Sequence, residues 1–244
     1  MLGPIRQWPG RQELVVLLGL LVIVGGTWGF VELADEVLEG ATQSFDEAIL
    51  RSLRKPDDPT TPIGPPWVEE VARDFTALGG VAVLMTVTAA VCGFLWLDRR
   101  RGAMWFVLAA TLGGSLASAV LKASISRPRP ALVPHLSHVY TSSFPSGHSM
   151  MSAVVYLTLG ALLTRLVAGR KLKLYFLTVA ALLTAMVGVS RVFMGVHYPT
   201  DVLAGWTAGL VWATTCWLAA RWLQRHGVLQ ERGRPEDRGS SIRA

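Results

Sequence analysis

The chain has little charge and few cysteines. Of its 244 residues only 16% are charged, against about 25% in soluble globular domains, and 51% are apolar. This composition excludes an intrinsically disordered protein and a cytosolic enzyme. Cys92 and Cys216 are its two cysteines, and both lie inside apolar runs, where a thiol behaves as a small buried hydrophobe. A disulfide-stabilised secreted scaffold is therefore also excluded.

Long apolar runs take the place of the missing charge. A membrane-spanning helix needs about 20 mostly apolar residues, and lipid offers the backbone no other way to satisfy its hydrogen bonds. The sequence therefore predicts an all-α transmembrane bundle. We interpret the first run as a retained anchor, because it is long and no small-x-small cleavage site follows it. The six predicted spans are residues 14–31, 75–97, 103–121, 149–168, 174–190 and 202–220.

The distribution of basic residues predicts how the bundle is oriented. With the N-terminus inside the cell, 15 of the 23 lysines and arginines fall on inner segments, as the positive-inside rule requires. The first outer loop, residues 32–74, holds eleven acidic residues and four basic ones. We expect residues 1–223 to form one transmembrane domain of the plasma membrane, with a disordered basic tail at 224–244 in the cytoplasm. Because topology explains the basic excess, we expect no binding of nucleic acid.

The first outer loop contains one amphipathic segment, residues 44–54. Phe45, Ile49, Leu50 and Leu53 follow the spacing of one helical face, which predicts a helix lying along the membrane surface. Prolines up to Pro66 then end the helix. This helix is either a packing cap over the bundle or a lid over a substrate, and we favour the cap.

Polar and charged residues gather at the outer ends of the later spans. Between His148 and His197 the chain crosses the membrane twice, so both histidines return to the same face. Three fixed cations at that face suit a tetrahedral dianion such as phosphate. The residues concerned are Lys122 and Arg129 after the third span, Ser146, Gly147 and His148 at the start of the fourth, and Arg191, His197 and Asp201 between the fifth and sixth.

Two further features favour phosphate chemistry at this face. The helix that begins near Ser146 offers free backbone amides to an anion, and Asp201 can orient the imidazole of His197 for attack. Any one of these cations, taken singly, is more typical of a headgroup anchor at a helix end. The two histidines with Asp201 also suit a metal site, although neighbouring cations would oppose a bound metal ion.

The spacing of these residues resembles a known family signature. Six residues separate Lys122 from Arg129-Pro130, Pro145-Ser146-Gly147-His148 follows, and five residues separate Ser190-Arg191 from His197. These three blocks resemble the tripartite signature of the type-2 phosphatidic acid phosphatases, whose superfamily also includes the vanadium haloperoxidases. The resemblance covers the third to sixth spans. The spacing selects Arg129, which leaves Arg127 as a surface contact.

The resemblance implies a role for each residue. His197 would be the nucleophile that forms a phosphohistidine, and Asp201 would hold its tautomer. His148 would protonate the leaving group and then activate water. No metal or other cofactor is implied, and two titrating histidines predict a bell-shaped pH profile. The implied phosphate-binding residues are Lys122, Arg129, Arg191, Ser146 and Gly147.

These observations predict an integral-membrane lipid phosphatase with its active site on the extracytoplasmic face. Phosphatidate, phosphatidylglycerol phosphate and a polyprenyl diphosphate such as undecaprenyl diphosphate are the candidate substrates, and we favour the polyprenyl carrier. The alternative is a non-enzymatic transporter or flippase of lipid phosphates, which would need no nucleophile. The haloperoxidase branch implies soluble chains, and six spans argue against it. His135 and His138 are interpreted as solvated loop residues.

Overall fold

The structure is a computed structural model that describes residues 10–136 and 142–225. Over these ranges the chain forms eight α-helices and one small antiparallel sheet. In chain order the elements are α1 (Arg11–Leu38), α2 (Gln43–Ser52), β1 (Arg54–Lys55), β2 (Asp58–Pro62), α3 (Pro66–Leu78), α4 (Val81–Leu97), α5 (Arg101–Ser124), α6 (Gly147–Leu166), α7 (Arg170–Phe193) and α8 (Pro199–Arg225).

Five helices are long and apolar enough to cross a membrane: α1, α5, α6, α7 and α8. The bent pair α3–α4 passes the same test as a sixth span. Large apolar side chains such as Leu21 and Leu116 are exposed along these helices, which suits contact with lipid. The predicted all-α membrane bundle is confirmed. The fifth span is longer than predicted, because α7 continues to Phe193 and so carries Arg191 in its last turn.

The second span differs from the prediction of one straight helix over 75–97. The helix breaks at Gly79 and Gly80, and α3 meets α4 at a bend of 49°. A Cβ atom on Gly79 would lie 2.4 Å from Cγ1 of Val187, closer than packed atoms approach. The bend therefore lets α7 pack directly against the break.

The segment between α1 and α3 forms a cap over one end of the bundle. The predicted amphipathic helix is present as α2, whose Leu50 is fully buried against Val192, Tyr198 and Val202. Phe45, at the start of the same helix, is 53% exposed. After α2, the two strands form a short hairpin that the proline-rich sequence did not suggest.

Helix α6 lies at the centre of the bundle and packs against α5, α7 and α8. Small residues allow the close crossings that membrane helices use. A Cβ atom on Gly160 would lie 2.9 Å from Cβ of Ala180, and one on Gly209 would lie 2.6 Å from Cβ of Ala153. These crossings fix the ends of α7 and α8 against the start of α6.

The predicted domain limit at residue 223 falls inside α8, which continues to Arg225. Residues 226–244 of the predicted tail, and residues 1–9, lie outside the described residues.

Candidate active site

The three sequence blocks meet at one end of the bundle. Lys122 lies in the last turn of α5 and Arg191 in the last turn of α7. The starts of α6 and α8 lie beside each other, because the backbone N–H of Ser146 donates to the carbonyl of Asp201 (2.9 Å). His148 lies within electrostatic range of His197, Lys122, Arg129 and Arg191. The structure thus brings together all the residues that the spacing singled out.

His197 is held in one orientation between a carboxylate and a guanidinium. Its Nδ1 lies 3.3 Å from Oδ2 of Asp201, and its Nε2 lies 3.2 Å from Nη1 of Arg129. A guanidinium can only donate, so Nε2 must accept and the ring proton must lie on Nδ1, facing Asp201. The lone pair of Nε2 is therefore directed towards the cations.

Burial keeps His197 neutral. The side chain is 2% exposed, and burial lowers its pKa to about 4, although Asp201 opposes this shift by its hydrogen bond and its charge. The charges of Arg129 and Arg191 lower the pKa further. A neutral imidazole whose Nε2 carries no proton is the form that a nucleophile requires.

Asp201 is fully buried at the start of α8. Its Oδ2 accepts hydrogen bonds from the hydroxyl of Ser143 and from the backbone N–H of Tyr198 (2.9 Å), in addition to its contact with His197. Its Oδ1 accepts from Nη1 of Arg127 at 2.7 Å. Because every oxygen of the carboxylate is engaged, its orientation towards His197 is fixed.

The three predicted cations reach the site from three different segments. Nζ of Lys122 donates to the carbonyl of Ser142 (2.9 Å), and Arg129 donates to the carbonyl of Val196 (2.6 Å). Arg191 is 2% exposed, and within the described ranges its Nε has no hydrogen-bond partner. A buried donor without a partner is costly, and an anion bound among these cations would supply one.

The start of α6 brings its own groups to the site. Ser146 is fully buried and caps the helix, accepting from the backbone N–H of Ser149 (3.4 Å) and from its hydroxyl (2.9 Å). Its contact with phosphate therefore stays a prediction. A Cβ atom on Gly147 would lie 3.1 Å from Cε of Lys122, so glycine leaves room there for both the lysine and an anion.

The prediction that Arg127 is a surface contact is wrong. Its side chain is 8% exposed and forms ion pairs of 2.7 Å with both Asp46 and Asp201, so it is no surface contact. The doubled Arg-Pro was the available signal. Because Arg127 and Arg129 each precede a proline, spacing alone could not show that the side chain of Arg127 is buried.

Asp46 and Ser143 were missed altogether. Asp46 precedes Ile49, Leu50 and Leu53 by three, four and seven residues, which places its carboxylate on the buried face of α2. A carboxylate at that spacing was the signal that could have found it. No comparable signal marked Ser143, which lies in the loop before α6.

His135, the other described histidine of the loop, contacts a backbone carbonyl. Nε2 of His135 lies 2.7 Å from the carbonyl of Pro130, and His138 lies outside the described residues. In the part of the chain that the structure describes, no group of three or more His, Cys, Asp or Glu side chains is arranged to hold a metal ion.

Comparison with known proteins identifies the family. The sequence profile of the PAP2 superfamily matches residues 102–225. The chain is 34% identical over 185 residues to phosphatidylglycerophosphatase B of Bacillus subtilis. The aligned region covers 75% of this chain and 86% of that protein. The chain belongs to the PAP2 superfamily. The predicted resemblance to type-2 phosphatidic acid phosphatases is therefore confirmed.

Two further comparisons agree with this assignment. This PAP2 protein is 27% identical over 168 residues to the lipid A 1-phosphatase of Rhizobium etli, covering 59% of this chain and 68% of that protein. It is also similar to the crystal structure of the transmembrane PAP2-type phosphatidylglycerolphosphate phosphatase of Bacillus subtilis. The TM-score is 0.74 at 30% identity, over 88% of this chain and 100% of that one. The predicted class of enzyme, a membrane phosphatase, is confirmed.

Proposed function

We propose that this PAP2 protein hydrolyses a lipid phosphate through a phosphohistidine formed on His197. The observation that carries the proposal is the orientation of the imidazole. Asp201 faces Nδ1, and the lone pair of Nε2 points at Arg129. A phosphoryl group bound by Arg129, Lys122 and Arg191 would lie in front of that lone pair, with its negative charge neutralised by the three cations.

The reaction then takes two steps. In the first, Nε2 of His197 bonds to phosphorus while the bond from phosphorus to the leaving oxygen breaks, and His148 gives its proton to that oxygen. In the second, a water molecule gives a proton to His148 and its oxygen bonds to phosphorus. The bond from phosphorus to Nε2 then breaks and inorganic phosphate is released. Asp201 balances the positive charge on the imidazole between the two steps.

A cavity beside the site supports a lipid substrate. Its volume is about 290 Å³, and it is half open to the outside of the bundle between α4, α5 and α6. Lys122, Gly147 and His148 lie at its polar end, and apolar side chains such as Leu84 and Met151 line the rest. A phosphate at the polar end would therefore leave the attached hydrocarbon chain in an apolar surrounding open to the bilayer.

The relatives support a choice of first substrate. The relative that shares 34% identity with this chain is named a phosphatidylglycerophosphatase. Its name favours phosphatidylglycerol phosphate as the substrate, whereas the sequence alone led us to favour a polyprenyl diphosphate. The ratio of kcat/KM for these two lipids, with phosphatidate as a third, decides between the two proposals.

We also propose that the site faces the extracytoplasmic side, because the other end of the bundle carries most of the basic residues. Cysteines introduced at Asp57 and Lys171, in a chain with Cys92 and Cys216 replaced by alanine, would test this. In intact cells a membrane-impermeant maleimide should label D57C and not K171C. The reverse pattern would place the site on the cytoplasmic side.

The decisive experiment measures phosphate release from lipid phosphates by the purified protein in detergent, with and without a chelator. His197→Ala should abolish release, and His148→Ala should slow it strongly for lipid substrates. His135→Ala is the matched control, because Nε2 of His135 contacts the backbone carbonyl of Pro130 in the same loop. Full phosphate release by His197→Ala would contradict the proposal and would favour the transporter.

The intermediate itself can be detected. Denaturing the protein during turnover of a substrate carrying ³²P should leave label on the chain that is stable to base and labile to acid, as a phosphorus–nitrogen bond is. The label should be absent from His197→Ala.

A further inference from the structure

A buried arginine links the outer cap to the catalytic carboxylate. Nη1 of Arg127 lies 2.7 Å from Oδ1 of Asp201, and its Nη2 lies 2.7 Å from Oδ2 of Asp46. Asp46 lies on α2 and is fully buried. One guanidinium therefore joins two carboxylates that are 155 residues apart in the sequence. Neither carboxylate is exposed, so both depend on Arg127 for compensation of their charge.

Thr200 completes this connection at the first turn of α8. Its backbone N–H and its hydroxyl donate to Asp46 at 3.1 and 2.6 Å, and the hydroxyl accepts from Nη1 of Arg127 at 2.8 Å. Asp46 thus holds the start of the helix that carries Asp201, as well as the arginine that contacts it. The ring of Tyr198 lies 4.2 Å from the guanidinium carbon of Arg127 and encloses it.

Electrostatics agree with this geometry. Burial alone would lower the pKa of Arg127, but the charges of Asp201 and Asp46 and their hydrogen bonds outweigh burial and raise it. The arginine is therefore permanently charged, and its charge acts on the carboxylate that faces His197.

We propose that Arg127 and Asp46 are positioning residues, which hold the carboxylate of Asp201 against His197 and set the charge that the imidazole experiences. This inference rests on the proposed function, in which His197 is the nucleophile. It links α2 to the carboxylate of Asp201 through Asp46, by way of Arg127.

The charges involved give the two residues opposite effects on His197. Loss of Arg127 would leave the negative charge of Asp201 less compensated, which favours a protonated imidazole. Loss of the negative charge of Asp46 would leave the positive charge of Arg127 less compensated, which disfavours a protonated imidazole. The other charged or titratable groups that face His197 are Arg129 from the loop before α6, Arg191 from α7 and His148 from α6, and the test leaves them unchanged.

The test combines NMR and kinetics on the full-length protein in detergent. Arg127→Gln should raise the midpoint of the His197 titration, and Asp46→Asn should lower it. For hydrolysis of phosphatidylglycerol phosphate, both should reduce kcat by about tenfold or more with little change in KM. Arg127→Lys keeps the charge but cannot bind both carboxylates, so it should restore the midpoint and only part of kcat.

Two further variants guard against misfolding and non-specific effects. The double variant D46N/R127Q removes the opposite charges of Asp46 and Arg127 together. Because no unpaired charge is then buried at position 46, this is the variant expected to fold most readily. Its kcat should stay reduced. Arg51→Gln is the matched control, because Arg51 forms an exposed ion pair with Glu47 on the same helix and should change neither the midpoint nor kcat.

The outcomes separate the two proposals. A folded double variant with unchanged kcat, or single variants that shift the midpoint in the same direction, would overturn the positioning role. If the unmodified protein released no phosphate from any lipid, the proposed function would fail. The His197 midpoints would then still decide whether Arg127 and Asp46 act on the imidazole.

Discussion

Nη1 of Arg129 lies 3.2 Å from Nε2 of His197, so the proposed nucleophilic atom already accepts a hydrogen bond from a phosphate-binding cation. The same Nη1 lies 2.6 Å from the carbonyl of Val196, which holds the guanidinium on the loop that carries His197. A substrate phosphate would exchange the contact between the arginine and Nε2 for contacts with its own oxygens. Arg129 would thereby protect the lone pair before binding and direct the phosphoryl group to it afterwards.

Arg129→Lys should therefore impair binding and chemistry together. The ammonium of lysine has no planar fork, so it cannot hold the carbonyl of Val196 and two phosphate oxygens in the same arrangement. We expect kcat/KM for lipid phosphates to fall by about a hundredfold or more, measured by phosphate release in detergent. Arg51→Lys, on the exposed side of α2, serves as the control. Activity within threefold of the unmodified protein would contradict the assigned role of Arg129.

The pH dependence follows from the burial of His197. Because its pKa lies at about 4 rather than 6.5, the acid-side fall of kcat/KM should come below the pH that an exposed histidine would give. The neutral imidazole is the nucleophile, and burial stabilises it. The neutral form therefore persists as the pH is lowered through 6.5. A profile over about pH 4 to 9 tests this expectation.

NMR titration of labelled histidine measures the same group directly. Without ligand the His197 midpoint should lie near 4, and bound sulfate, an anion that forms no bond to nitrogen, should raise it, because a neighbouring anion favours the imidazolium form. His197→Gln assigns the signal. A ligand-free midpoint near 6.5, or one that sulfate lowers, would be inconsistent with a buried imidazole facing an anion site.

Gly147→Ala should separate activity from stability. Its new Cβ atom would lie 3.1 Å from Cε of Lys122, so the flexible lysine can move, and alanine favours the helix at this position. We expect kcat/KM to fall about tenfold, since Lys122 must shift by a fraction of an ångström, while the melting temperature in detergent is kept. Gly93→Ala, with no atom within 4 Å of its Cβ position, should change neither activity nor stability adversely. A large loss of melting temperature in Gly147→Ala would show that the glycine is required for packing instead.

Filling the cavity between α4, α5 and α6 should affect only substrates with long hydrocarbon chains. Ala119→Trp places a large ring in that cavity and should raise KM for phosphatidylglycerol phosphate severalfold, since the chain must then bind elsewhere. Hydrolysis of the soluble ester p-nitrophenyl phosphate should be unchanged. Ala109→Trp, in a different cavity near the other end of α5, is the matched control. Equal effects on both substrates would mean that the variant disturbs the catalytic groups themselves.

Much of this protein could be predicted from its sequence because its strongest signals are local. Long apolar runs predicted the spans, and the break at Gly79 and Gly80 was missed because both residues fit an apolar helix by composition. Asp46 was overlooked, because an apolar pattern gives a carboxylate no reason to be buried. The reason lies in Arg127, 81 residues away.

The order of residues alone determined the spans, the identity of the cations and the even number of membrane crossings between His148 and His197. The length of an apolar run and the number of runs between two residues do not depend on tertiary contacts. Tertiary structure alone decided which nitrogen of His197 carries no proton and which arginine faces Asp201. It also decided that Asp46 of α2 contacts that arginine. These features depend on directional hydrogen bonds and charge compensation between distant segments, and such contacts form only when the helices pack.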